Sequence, residues 1–154
     1  MKLAKRILLV SCILIIVLQF IRPVHNKSSQ VLTTDISKVI IVPDKVLSLL
    51  KNACFDCHSN NTLYPWYSDI QPMGWLMAYH IKQAKKQLNF SDFGSYSQRR
   101  QLSKLDGIAN SIKDDIMPLK SYKIMHKSAQ LSSDEKTLLI NWTQQVIDSI
   151  STKN

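Results

Sequence analysis

Apolar positions change their pattern several times along the chain, and each change marks an element. From Ile7 to Ile21 they form a nearly unbroken run, interrupted only by Ser11, Cys12 and Gln19, with Lys2, Lys5 and Arg6 ahead of it. A basic leader followed by an apolar segment predicts an uncleaved signal anchor, because "RPVHNK" after the run offers no small residues for cleavage. At about 1.5 Å per residue the run spans roughly 22 Å, short of a ~30 Å hydrocarbon core unless Lys5, Arg6 and Arg22 snorkel. The expected placement is the cytoplasmic (inner) membrane through residues 7–21, with everything after Arg22 facing the periplasm.

Beyond the run, apolar residues recur at three- and four-residue steps. Pro43-Asp44 open a short helix, "DKVLSLLKNAC", with Val46, Leu47, Leu49 and Leu50 on its inner face. Pro72 opens a second, in which Met73, Leu76, Met77, His80, Ala84 and Leu88 share one face and Lys82, Lys85 and Lys86 the other. A third is predicted from Ser97 to Lys113, with Leu102, Leu105, Ile108, Ala109 and Ile112 as its stripe. The last starts at Ser132, with Glu135 completing a capping box, and buries Leu138, Leu139, Trp142 and Val146. "NFSDFGSY" and "DDIMPLKSYKIMHKSAQL" read as a loop and an irregular stretch. The chain divides into an anchor (1–22), a juxtamembrane linker (23–42), a helical domain (43–150) and a polar tail (151–154). With only three glycines and little alternation of apolar and polar residues, the fold class is all-α.

Composition adds charge. The net charge of +9 favours acidic partners or an anionic surface. Nucleic acid is excluded as a partner, since no Lys/Arg block with interleaved aromatics and no groove-reading motif occurs. No nucleophile with a base and no paired acids appear, so an enzyme is not expected.

The candidate chemistry lies in "ACFDCHSNNTLYPWYS". Cys12 sits in the apolar run, which leaves Cys54 and Cys57 as the only pair in the main domain, followed directly by His58. A disulfide here would close a very small loop and staple little. Zinc normally requires four ligands, commonly two close pairs, and His80 and His126 do not form the second. A redox dithiol belongs near a strand–helix junction, whereas a helix precedes Cys54. A chance pairing with an inert histidine is the bland alternative. Covalent haem fits best: thiols three apart on a helical turn face one side and can each add across a haem vinyl group, and His58 can reach the iron.

A haem held this way needs a sixth ligand or an open position. Thioether sulfur is a soft ligand that raises the reduction potential. Met73 and Met77 lie on a helical apolar face, where methionine is more often filler, and Met125 follows later. Met117 precedes Pro118, which stiffens the chain, and is the favoured distal ligand. His80 and His126 remain alternatives. Tyr64, Trp66 and Tyr67 carry N–H or O–H groups of the kind that bind haem propionates, with Trp66 and Tyr67 the candidate pocket residues, although each also simply packs.

The order of elements (helix, CxxCH, further helices, Met-Pro loop, C-terminal aromatic helix) resembles a class I cytochrome c. More closely, "CFDCHSNNTLYPWYSDIQPMGWLMAYHI", "LNFSDF" and "MPLKSY" resemble the small haem-binding domain family of Bacteroidetes-type bacteria, over residues 40 to 150. The resemblance implies one haem c, attached at Cys54 and Cys57, with His58 proximal and Met117 at the distal position. The expected protein is a membrane-anchored monohaem cytochrome for one-electron transfer to a partner of acidic surface. A haem-based sensor of small ligands is the alternative, and a haem-free dithiol oxidoreductase the next.

Overall fold

The computed structural model describes residues 2–28 and 30–152, all of whose regular elements are helical. The α-helices are α1 (Lys2–Leu18), α2 (Ile36–Val39), α3 (Asp44–Leu50), α4 (Asp56–His58), α5 (Met73–Gln87), α6 (Gln98–Lys113), α7 (Lys120–Met125) and α8 (Ser133–Ser151). One wide turn, Lys51–Phe55, joins α3 to α4, and tight helical turns occupy Trp66–Asp69, Phe90–Ser95 and Lys127–Ala129. A lone bridge between Lys27 and Asn61 is the sole β-type pairing among the described residues. Residues 153 and 154 of the expected polar tail lie outside the described residues, and Ser151 ends α8.

The all-α expectation stands, but the anchor that was to precede the domain does not. No helix among the described residues is long and apolar enough to cross a membrane. Helix α1 stops at Leu18 and opens with Lys2, Lys5 and Arg6, so its apolar part, from Ile7, covers about 18 Å at ~1.5 Å per residue. Gln19 does not continue the helix. Its side chain accepts from the Gln71 amide (2.8 Å) and donates to the Gln71 carbonyl (3.3 Å). Trp75 Nε1 donates to the Ile21 carbonyl at 2.8 Å. The expected inner-membrane placement with a periplasm-facing domain rested on that anchor and falls with it.

The stretch expected as a linker is part of the fold. Ile36 has no exposed surface and joins the core, and the Gly94 amide donates to the Thr34 carbonyl at 2.7 Å. Asp35 caps α2 by accepting from the Ser37 amide. Upstream, the Asn26 amide donates to Tyr64 Oη (2.7 Å), and its side chain donates to the Ser59 carbonyl (2.8 Å) and Thr62 Oγ1 (2.9 Å).

The core is built where the helical stripes meet. Leu105, Ile108 and Ile112 of α6 pack along Leu139 and Trp142 of α8, with Val46, Leu49 and Leu50 of α3 beside them. Phe90 and Phe93, in the segment expected as a loop, are fully buried in the same cluster. Their tight turn starts where Asn89 accepts from the Ser91 amide. Helix α8 begins with the expected capping box: Glu135 Oε2 accepts from the Ser132 amide and Ser132 Oγ from the Glu135 amide.

Candidate functional site

A cavity of about 330 Å³ opens between the wide turn after α3, the end of α5, one face of α6 and the chain that follows α6. This is the scale of a cofactor site. Its lining is mainly apolar: Ala53, Leu88, Phe90, Ile108, Ile112, Pro118 and Leu131, with Cys54, His58 and Met117 among them. Two residues four positions apart and a third some sixty positions on, all singled out for their chemistry, therefore line one cavity.

The wide turn is the local reason. Such a wide turn is rare in helices and frequently marks a functional site; here it spans "KNACF" before α4 resumes with "DCH". Cys54 lines the cavity; Cys57 is half-buried and is not part of the lining. No disulfide joins them. Burial, with a smaller contribution from the neighbouring Cys57, pushes the Cys54 thiol up to about 12. Burial, then the Asp56 carboxylate, pushes Cys57 up to about 11. A dithiol oxidoreductase needs the opposite, a thiol whose pKa is lowered. Zinc finds no ligand set either, since no group of three or more His, Cys, Asp or Glu among the described residues could hold a metal ion.

His58 is oriented by its second nitrogen. Nδ1 lies 3.0 Å from the Leu88 carbonyl, which can only accept, so Nδ1 carries the proton and Nε2 keeps its lone pair. Burial holds the imidazole below its ordinary range, opposed by hydrogen bonds to the Leu88 and Ala84 carbonyls. A neutral, oriented imidazole is what a metal ligand requires.

Helix α6 supplies a wall of small residues. Ser103, Gly107 and Ser111, four apart, all line the cavity. A Cβ at Gly107 would meet nothing within 4 Å. The glycine weakens the helix by roughly 0.5–1 kcal/mol relative to alanine, with no packing reason in the protein itself.

Met117 is fixed by its backbone. Past the end of α6, the Ile116 amide donates to the Ser111 carbonyl (3.0 Å) and the Asp115 amide to the Ile112 carbonyl (3.2 Å). This is a Schellman closure, with Asp115 in the left-handed position at φ 54°. The Met117 amide adds a second bond to the same Ser111 carbonyl, at 3.1 Å. The Asp115 carboxylate pairs with Lys136 (2.8 Å) and Lys123 (3.2 Å), whose ammonium groups hold it below the usual carboxylate range.

The remaining candidates lie elsewhere. Trp66 is 76% exposed and does not line the cavity, nor does Tyr67, whose hydroxyl approaches His126 Nε2 at 3.5 Å. Tyr64 stacks on His25 (4.0 Å between centroids). His80 sits beside Tyr79, and His126 stacks on Tyr122. Met73 and Met125 are exposed, and neither they nor Met77 line the cavity.

Sequence reading missed several contributors. Leu88 acts through a carbonyl, which has no sequence signature. The Ser103/Gly107/Ser111 spacing was readable as a small-residue face. Asp56, inside the cysteine motif, is buried and accepts from the Leu63 amide (3.0 Å) and Tyr122 Oη (2.6 Å), tying the motif to α7.

The residues present fit a haem. Thiol, imidazole and thioether donors converge on an apolar cavity with open space above Gly107. A family model described as the haem-binding domain matches residues 13–145. The chain belongs to the haem-binding domain family. Its membership makes haem the cofactor and leaves the mode of attachment to the chemistry of the site. No curated protein and no solved structure matches the chain. The likeness of this haem-binding domain to a class I cytochrome c therefore rests on element order alone.

Proposed function

We propose that this haem-binding domain is a monohaem c-type cytochrome that transfers single electrons. The observation that carries the reading is that Cys54, His58 and Met117 line one apolar cavity. Cys54 and Cys57 would each hold the haem by a thioether bond, with sulfur on one vinyl carbon and the thiol proton on the other, so that no oxidant would be needed. The bound haem supplies an iron centre that gains and loses one electron. His58 would hold the iron through Nε2, its ring kept in place by the Leu88 carbonyl. Met117, which lines the same cavity, would offer a thioether to the iron, and soft sulfur favours the ferrous state. Ile108, Ile112 and Leu131 make the lining apolar, and Lys104, which also lines it, would pair with a propionate. The net charge of +9 favours an acidic redox partner.

The deciding experiment is a haem-stained denaturing gel with a visible spectrum, on protein made alongside haem-attachment machinery. Haem that stays on the denatured chain, with a weak far-red sulfur-to-iron band when oxidised, is expected. Two titratable thiols and no covalent haem would sink the proposal. A high-spin, CO-binding ferrous form would replace electron transfer with ligand sensing.

A further inference from the structure

A second concave site lies on the other side of α5 and shares no lining residue with the haem cavity. It is an open cleft of about 730 Å³ between α5 and the segment at residues 24–26. Lys82, Lys85 and Lys86 line it, together with His25, Asn26 and Tyr64, and no carboxylate does.

Three ammonium groups crowd one short stretch of helix, at spacings where like charges repel. The helix C-terminus accounts for basic residues in the last turn, Lys85 and Lys86. It does not account for Lys82, nor for the absence of a carboxylate from the lining. None of the three makes an ion pair among the described residues. Lys85 is half-buried, with burial lowering its pKa against the weaker opposing pull of Asp92. Its ammonium donates to Asn26 Oδ1 at 2.7 Å, a neutral acceptor. A partly desolvated cation whose nearby carboxylate, Asp92, makes no ion pair with it is an incomplete arrangement.

The walls are also held in place before any ligand arrives. Asn26 is locked by its bonds to Tyr64, Ser59 and Thr62, and His25 lies flat on Tyr64 with an interplanar angle of 13°. A rigid concave surface carrying converging cations suits a compact ligand better than an extended chain. We propose that this cleft binds a small polyvalent anion bearing phosphate or clustered carboxylates, with Lys82, Lys85 and Lys86 neutralising it. The proposal does not depend on how the haem is attached or what it does.

Calorimetric titration of the haem-loaded full chain with pyrophosphate, and separately with citrate, tests it at low ionic strength. Saturable binding of one anion per chain is expected, and the tighter of the two probes tells phosphate from carboxylate chemistry. Lys82→Gln/Lys86→Gln should weaken binding at least tenfold, and Lys85→Gln likewise, while Lys113→Gln on α6 leaves it unchanged. The exposed Lys82/Lys86 pair keeps the test valid even if Lys85→Gln loosens the Asn26 contact. No saturable binding, or equal weakening by Lys113→Gln, would overturn the proposal. So would binding of poly-glutamate without binding of either small anion, which would make the cleft a docking face for an acidic chain.

Discussion

His58 shows how a single side chain is prepared for one task. Burial disfavours its charged form, and the Leu88 carbonyl assigns its proton to Nδ1. Only one nitrogen, deprotonated, is left for a metal. Met117 is prepared differently, by two amide bonds of its own loop to the Ser111 carbonyl that do not involve its side chain. Met117→Ala should therefore leave the loop and the haem in place and lower the reduction potential, as the loss of a ligand that favours ferrous iron requires. A redox titration checks this, and an unchanged potential would remove Met117 from its role. Tyr122 is a third case. Its hydroxyl donates to buried Asp56, whose carboxylate raises the phenol pKa further after burial itself. Tyr122→Phe leaves a buried carboxylate oxygen short of a donor and should destabilise the domain by about 1–3 kcal/mol. Denaturant unfolding of the two proteins measures it; a difference within about 0.5 kcal/mol would mean that water replaces the phenol without loss.

Among the elements, α6 is the most informative. Its apolar face joins the core, and its small-residue face, Ser103, Gly107 and Ser111, borders the cavity. If that face exists to admit a flat ring, two substitutions at Gly107 should behave differently. Gly107→Ala meets open space and should stabilise the haem-free chain by roughly 0.5–1 kcal/mol. Gly107→Phe should fill the cavity and reduce the haem yield several-fold while the chain still folds. Thermal unfolding of the haem-free chains and haem content per chain separate the two effects, and full haem loading in Gly107→Phe would show that the ring lies elsewhere. The helices themselves were legible: the stripes of α6 and α8 and the capping box at Ser132 follow from side-chain spacing alone. Cys54, His58 and Met117, which line one cavity, stood out as candidates because rare residue types stood in a fixed order. What escaped was non-local. Phe90 and Phe93 read as loop because a tight turn has no long periodicity, yet tertiary packing buries them completely. Ile36 was hidden in a polar stretch. Trp66 and Tyr67 were plausible by chemistry, but their placement depends on a turn whose direction spacing does not encode. The anchor expectation came from the apolar run itself, and it fails because the helix ends at Leu18, before the run does.

At the scale of the whole molecule, the surface is dominated by unlike numbers of charges, 20 Lys and Arg against 11 Asp and Glu. Two carboxylates, Asp69 and Asp115, take part in the ion pairs of the described residues, and two of the three pairs are at Asp115, so most of the excess has no ion-pair partner among those residues. Two accounts of that excess make opposite predictions. Lysines scattered for solubility create little directional field, and small charged reactants would respond weakly to salt. Lysines that present a positive field to approaching reactants accelerate anionic ones, and the advantage vanishes once the screening length falls below about 10 Å, near 0.1 M salt. The second account predicts that oxidation of the ferrous protein by ferricyanide slows roughly tenfold between low salt and about 0.5 M, whereas oxidation by a tris-chelate cobalt(III) cation speeds up. Stopped-flow traces at a series of salt concentrations measure both slopes. Slopes of opposite sign would show that the surface through which these oxidants react is positive, which would support the proposed acidic partner. Flat responses from both oxidants would assign the basic residues to solubility and leave the cleft on α5 as the one place where their arrangement has a ligand to meet.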